Sequence, residues 1–133
     1  MSMSLPLALA VALGGALGAL ARWAVSAWAL RALGGAFPYG TFAVNVGGGL
    51  LMGLAAAALL ERDLGGLGRL APFLMTGLLG GFTTFSAFSL DAIYLIERGR
   101  PAAAALYVGG SVALSLLALW AGLAAGRGLL RGA

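Results

Sequence analysis

Residues 77–89 read Gly77-Leu78-Leu79-Gly80-Gly81-Phe82-Thr83-Thr84-Phe85-Ser86-Ala87-Phe88-Ser89, and none of them is charged. Two adjacent glycines and two adjacent β-branched threonines weaken an α-helix at this point. The stretch lies inside a longer uncharged run, Leu70 to Leu90. Roughly 20 apolar residues, each rising about 1.5 Å, cross the hydrocarbon core of a bilayer. The run is therefore long enough to span a membrane, and so are Ala32 to Leu60 and Pro101 to Gly126. Leu5 to Ala21 joins them if Arg22 sits near a helix end or in a polar pocket. The chain reads as an all-α membrane protein of four transmembrane helices forming one domain over residues 1–133.

Composition points the same way. Hydrophobic residues make up 62% of the chain and charged residues 9%, with a mean hydropathy of +1.03. A soluble domain carries about 25% charged residues, so this chain has too few to clothe a water-facing surface. There is no cysteine and no histidine, which removes disulfide, thiol and imidazole chemistry along with the soft metal ligands. Paired carboxylates and phosphate loops are also absent, and no enzyme is expected. The net charge of +4 rests on arginines scattered at helix ends, which suit anchoring at the lipid interface and not nucleic acid. Residues 1–4 lack the positive charge of a secretory leader, so the first span is expected to be retained.

Turn signals divide the chain. Helix 1 is expected over about Leu5 to Leu30, then a turn at Gly34, Gly35 and Pro38. Helix 2 follows over about Tyr39 to Leu60, then a charged glycine-rich loop from Glu61 to Arg69. Helix 3 covers about Leu70 to Ile96, and helix 4 about Ala102 to Gly126 before a short arginine tail. With an even number of spans both termini share one side, which carries Arg62, Arg69, Arg127 and Arg131. The other side carries Arg31, Arg98 and Arg100, with Arg22 if it reaches that face. The arginine bias that orients a membrane bundle is nearly balanced here, so insertion in both directions and an antiparallel dimer are expected. The pairs Gly14/Gly18, Gly49/Gly53 and Gly122/Gly126 have the spacing that lets helix backbones meet closely in lipid.

Two readings fit the middle of helix 3. A break at Gly80 to Thr84 would free carbonyl oxygens that suit a cation such as Na⁺; a continuous helix would bond its hydroxyls back to the preceding turn. Phe85 and Phe88 are three apart and share a helix face, where positive ring edges suit an anion and apolar packing is the plainer use. Asn45 lies inside helix 2, where its amide must find a partner, either an anion or another helix. Tyr107, Ser111 and Ser115 recur every four residues as a hydroxyl stripe on helix 4. Arg22 is expected to concentrate anions in a vestibule or to snorkel, and Asp91 to lie near a mouth or a pairing arginine. Phe37, at the start of helix 2, is expected to stand apart from this set.

Gly14-Gly15-Ala16-Leu17-Gly18-Ala19-Leu20-Ala21-Arg22-Trp23, Gly40-Thr41-Phe42-Ala43-Val44-Asn45 and Gly80 to Ser89 resemble, in order, the three signatures of the Fluc (CrcB) fluoride channels. The resemblance covers nearly the whole chain. It implies an antiparallel dual-topology homodimer in the cell inner (plasma) membrane, with two pores and a central structural Na⁺ held by carbonyls of Gly80 and Thr83. It implies fluoride pore residues Asn45, Phe85, Ser86, Phe88, Tyr107, Ser111 and Ser115, a vestibule Arg22, and passive exit of F⁻ from the cytoplasm. Ala87 departs from the family's usual threonine and Asp91 from its glutamate. A small multidrug exporter would need a carboxylate in helix 1, and helix 1 has none. A non-conducting assembly subunit is the remaining alternative.

Overall fold

A computed structural model describes residues 3–132. It contains α1 (Leu5–Leu33) and α2 (Tyr39–Glu61), the latter ending in a π-helical stretch, Ala56–Glu61. After a 3₁₀ turn at Leu64–Leu70 comes α3 (72–82), π-helical over Pro72–Leu79 and α-helical over Gly80–Phe82. α4 (Phe85–Glu97) and α5 (Pro101–Leu130) complete it. Pro72 and Pro101 occupy first helical turns, where a missing N–H costs nothing. Gly34 and Gly99 close α1 and α4 at φ 80° and 70°, a conformation that other residues resist. Four stretches, Leu5–Leu33, Tyr39–Glu61, Pro72–Glu97 and Pro101–Leu130, are long and apolar enough to cross a membrane.

The helices overrun the expected ends. α5 continues to Leu130, so Arg127 belongs to a helix and not to a tail. There its guanidinium meets the Glu61 carboxylate in two parallel hydrogen bonds of 2.6 and 2.8 Å, fastening the end of α2 to α5. At the opposite end Arg100 Nη1 donates to the Ala36 carbonyl, tying the α4–α5 turn to the α1–α2 turn.

Backbone-to-backbone contact organises the bundle, with α1 lying mainly on α3 and α2 on α5. A Cβ on Gly14 would strike the Phe73 carbonyl, and one on Gly18 the Leu78 carbonyl. From the other side, a Cβ on Gly77 would sit 2.8 Å from the Val11 oxygen and one on Gly81 2.5 Å from the Gly15 oxygen. Between α2 and α5, Gly49 and Gly53 meet the Ser115 and Leu119 carbonyls, while Gly122 and Gly126 meet Leu50 and Ala57. All three spaced glycine pairs thus lie at helix contacts, as small residues do where lipid supplies no hydrophobic drive between helices. A second contact joins α4 to α5 through Phe88, Ala92, Leu95, Ala104 and Tyr107. The outer surface is apolar, with Leu9, Leu13, Leu17, Leu116 and Trp120 among the exposed side chains. The accessible area, 8019 Å², exceeds the roughly 6,400 Å² of a water-soluble monomer of this mass. The surplus suits lipid or a protein partner.

These contacts predict opposite signs for the same substitution. Gly18→Ala and Gly53→Ala push a methyl into a facing carbonyl and should cost about 1–3 kcal/mol. Gly109→Ala meets nothing within 4 Å and should gain about 0.5–1 kcal/mol from helix propensity. Thermal unfolding in detergent distinguishes them, and equal midpoints for Gly53→Ala and Gly109→Ala would contradict the packing scheme.

Candidate permeation site

Within the Gly80–Thr84 stretch where a break was expected, the glycine end stays helical: Gly80 has φ −63°, ψ −37°. Gly81 is spent on the close approach to Gly15. The backbone turns extended at the threonines, with Thr83 at φ −82°, ψ 157° and Thr84 at φ −152°, ψ 125°. Branching at Cβ favours this conformation. Helix resumes at Phe85, capped by Thr84, whose Oγ1 accepts the Ala87 N–H at 3.2 Å.

In an uninterrupted helix the Thr84 N–H would donate to Gly80, and the Thr84 carbonyl would accept from Phe88. Here both groups turn to Asn45. Thr84 N–H donates to Asn45 Oδ1 at 2.8 Å, and Asn45 Nδ2 donates to the Thr84 carbonyl at 2.9 Å. The carboxamide reaches this far because Gly48, one turn on, lets α2 lie against the Thr83 methyl. Arg22 Nε donates to the Gly81 carbonyl at 3.1 Å, which an unbroken helix would have offered to Phe85. Thr83 folds back onto its own helix, with N–H and Oγ1 both donating to Leu79 at 3.0 Å. Among the described residues no donor reaches the carbonyls of Gly80, Phe82 or Thr83.

Beside this joint a cleft of about 280 Å³ is lined by Asn45, Thr83, Thr84, Phe85, Phe88, Ser111, Val112 and Ser115. It gathers five of the expected pore residues: Asn45, both phenylalanines and two stripe serines. Phe85 and Phe88 meet with ring centroids 5.6 Å apart, tilted by 45°. Their settings differ, for Phe85 is 79% exposed and Phe88 only 8%. Ser111 is 3% exposed, and its Oγ has no protein partner among the described residues. A buried hydroxyl left so costs about 1–3 kcal/mol, which leaves it poised to donate to whatever enters the cleft.

Thr83, expected to offer its carbonyl to a cation, also lines the cleft, whereas the other expected residues lie outside it. Ser86 is exposed, with Oγ 3.4 Å from Thr84 Oγ1. Arg22 donates Nε to the Gly81 carbonyl and keeps its charge, with no carboxylate partner among the described residues. Gly80 is exposed. Tyr107 is fully buried under Phe88, ring centroids 5.2 Å apart, and donates to Asp91 Oδ2 at 3.1 Å. Asp91 therefore pairs with a phenol and not with an arginine; the one ion pair among the described residues is Arg127–Glu61. Asp91 also lines a second cavity of about 240 Å³ with Ser26, Thr41, Tyr94 and Arg98. Phe37 is not remote, since its ring stands edge-on to Tyr107 at 5.4 Å. Sequence reading passed over Thr84 as a site residue, although threonine three positions before a capped N–H is a helix-start signal.

Four membrane-spanning helices, one of them interrupted, with uncharged donors and two phenylalanine rings lining a cleft, define a small integral membrane protein suited to passing an ion. Residues 9–123 match the family described as CrcB-like protein, Camphor Resistance (CrcB), and the chain belongs to that family. A protein of Cereibacter sphaeroides named fluoride-specific ion channel FluC is 58% identical over 120 residues, covering 90% of this chain and 94% of that one. Proteins of the same name from Paracoccus denitrificans and Rhizobium etli are 60% and 53% identical, with 91% and 92% of this chain covered and 94% and 98% of theirs. The chain is accordingly a multi-pass membrane protein, which in bacteria places it in the plasma membrane.

The Thr84 cap is testable apart from any transport. Thr84→Val keeps the branched backbone preference but leaves the Ala87 N–H without its acceptor, and should lower stability by about 1 kcal/mol. Thr84→Ser should restore most of it. Identical melting of all three proteins would show that the cap contributes nothing.

Proposed function

We propose that this chain is a fluoride-selective channel that lets F⁻ leave the cytoplasm passively, relieving fluoride toxicity. Its relatives' shared name supports the substrate. The observation that carries the reading within the chain is the cleft, which the orphan hydroxyl of Ser111 lines together with Phe85 and Phe88. F⁻ holds its hydration shell tightly, so a narrow path must replace water with donors. Ser111 and Ser115 offer hydroxyls, and Asn45 retains one amide hydrogen beyond the one given to Thr84. Phe85 and Phe88 offer positive ring edges. None of these carries a full charge, so the ion can leave as readily as it enters. Tyr107 and Ser86 continue the polar track on either side, and Arg22 contributes positive potential from behind the joint.

The working unit is an antiparallel homodimer with two pores. The near balance of arginines supports insertion in both directions, as does the exposure of Phe85, Ser86 and Gly80, which one copy leaves uncovered. A structural Na⁺ fits the donor set on the α3 side. Gly80 and Thr83 present carbonyl oxygens without protein donors, and hard cations take such ligands. Two antiparallel copies would supply them in pairs. Such an ion would supply fixed positive charge at the middle of the assembly.

Liposomes carrying the purified protein should release F⁻ and retain Cl⁻. Phe88→Ile, which removes a ring edge at similar bulk, and Asn45→Asp, which places a carboxylate in the path, should each slow F⁻ efflux at least tenfold. Trp120→Leu, on the exposed face of α5, should leave it unchanged. Long dialysis into Na⁺-free choline medium should depress efflux until Na⁺ is returned; unchanged efflux would remove the cation from the account. Wild-type flux in both pore variants would mean that the cleft is not the path.

Topology is read separately. A Gly132→Cys variant in sealed vesicles should react with impermeant maleimide from both sides in comparable amounts. Reaction from one side alone would rule out the antiparallel dimer.

A further inference from the structure

We infer that Asn45 is a positioning residue that holds the chain extended at Thr83–Thr84, beyond the amide hydrogen it offers to a passing anion. A helix running from α3 into α4 would need the Thr84 N–H on Gly80 and the Phe88 N–H on Thr84. The Asn45 carboxamide occupies the donor of the first bond at 2.8 Å and the acceptor of the second at 2.9 Å. One planar group thus takes the donor of the first rung of the competing helix and one lone pair of the acceptor of the last. The remaining rungs are partly blocked as well, with the Gly81 carbonyl held by Arg22 and the Ala87 N–H held by the Thr84 hydroxyl. The local sequence alone leaves the choice open, since Gly80-Gly81 is helical in place and only the threonines lean toward extension.

In lipid the two states differ chiefly in how backbone groups are satisfied, because water is not there to accept or donate. With Asn45 replaced by alanine, the freed Thr84 N–H and carbonyl have their nearest replacements in Gly80 and Phe88, and pairing with them closes the helix. Closure would consume the Gly80 carbonyl, one of the two oxygens offered above to a cation. Asn45 therefore governs the α3 side of the joint from α2 while lining the cleft on the other. An aspartate at the same place still accepts the Thr84 N–H and still bars the Gly80 rung, yet it puts negative charge beside the cleft. The two substitutions should both stop fluoride but leave the backbone in different states. This inference deepens the channel reading without needing it.

Solid-state NMR in liposomes separates the cases, because threonine carbon shifts distinguish helical from extended backbone. Asn45 is the only asparagine, and the threonines are Thr41, Thr76, Thr83 and Thr84. In the wild type, Thr41 and Thr76 should resonate as helical and Thr83 and Thr84 as extended. A through-space cross-peak should join the Asn45 side-chain nitrogen to the Thr84 carbonyl carbon. In Asn45→Ala the Thr84 signals should move to helical positions while those of Thr41 and Thr76 stay. In Asn45→Asp all four should keep their wild-type positions. Absence of the wild-type cross-peak overturns the inference, and so does an extended Thr84 in Asn45→Ala. A helical Thr84 in Asn45→Asp also overturns it. If Asn45→Ala fails to fold, loss of the Thr41 and Thr76 helical signals reveals it, and the wild-type cross-peak and Asn45→Asp decide. No fluoride is used, so a wild type that conducts none would refute the channel reading and leave this result standing.

Discussion

A peptide chain that leaves the helix inside hydrocarbon frees N–H and C=O groups that water cannot reach, and each costs several kcal/mol unless the protein supplies a partner. The whole arrangement around Thr83 and Thr84 answers that constraint. Asn45 takes two of the freed groups and Arg22 takes one, while Thr84 Oγ1 accepts the Ala87 N–H and Thr83 Oγ1 donates back to the Leu79 carbonyl. What stays unpaired is confined to a few carbonyls on one side and the first amides of α4 on the other. An interruption that left its groups unmatched at random would unfold or close; here the residue is small and sorted by polarity.

The side chains that satisfy the joint come from distant parts of the chain, so their service depends on how closely the helices lie. Arg22 stands 59 residues from Gly81 and Asn45 stands 39 from Thr84. Arg22 reaches because Gly14, Gly18, Gly77 and Gly81 bring the backbones of α1 and α3 into contact. Asn45 reaches because Gly48 presents no side chain to Thr83. A methyl at these positions would move a hydrogen-bond donor by a sizeable part of the distance that separates a bond from none. Glycine packing and the polar clamp are two parts of one requirement, even though no glycine touches the cleft.

The four spans and the spaced glycines were legible because lipid imposes one long apolar run per crossing and leaves small residues as the means of close contact. Asn45, Phe85, Phe88, Ser111 and Ser115 were legible as a set for a related reason: a polar group or paired ring inside such a run stands out. The position of the interruption was legible only to within Gly80–Thr84. Low helix propensity at Gly80-Gly81 points to the glycines, but the contact with Gly15 keeps Gly81 in the helix and shifts the extended residues to Thr83 and Thr84. Helix ends were misplaced outside the hydrocarbon, where Arg127 finds Glu61 across 66 residues. The place of Phe37 and the phenol partner of Asp91 were not legible, because both meet Tyr107, a contact between α4, the α1–α2 turn and α5 that spacing within one helix cannot reveal.

Interruption of one helix also creates two poles of opposite sign a few residues apart. α3 ends with carbonyls that carry the negative end of its dipole, and α4 begins with amides that carry the positive end, each about half an elementary charge. The Gly80 oxygen belongs to the first pole, with the extended Thr83 carbonyl just beyond it; the Phe85 and Ser86 N–H groups belong to the second, at the start of α4. A continuous helix would cancel both, since each carbonyl would face the amide four residues on. Opening the chain between them separates a place that favours a cation from a place that favours an anion, with no ionised side chain in the cleft lining. For a path that must strip a small anion of water and then let it go, fixed dipoles of this size have the advantage over a lysine or arginine: they replace hydration without binding the ion so tightly that it stays. Asn45, attached to Thr84 where the two poles part, is the side chain on which that separation turns.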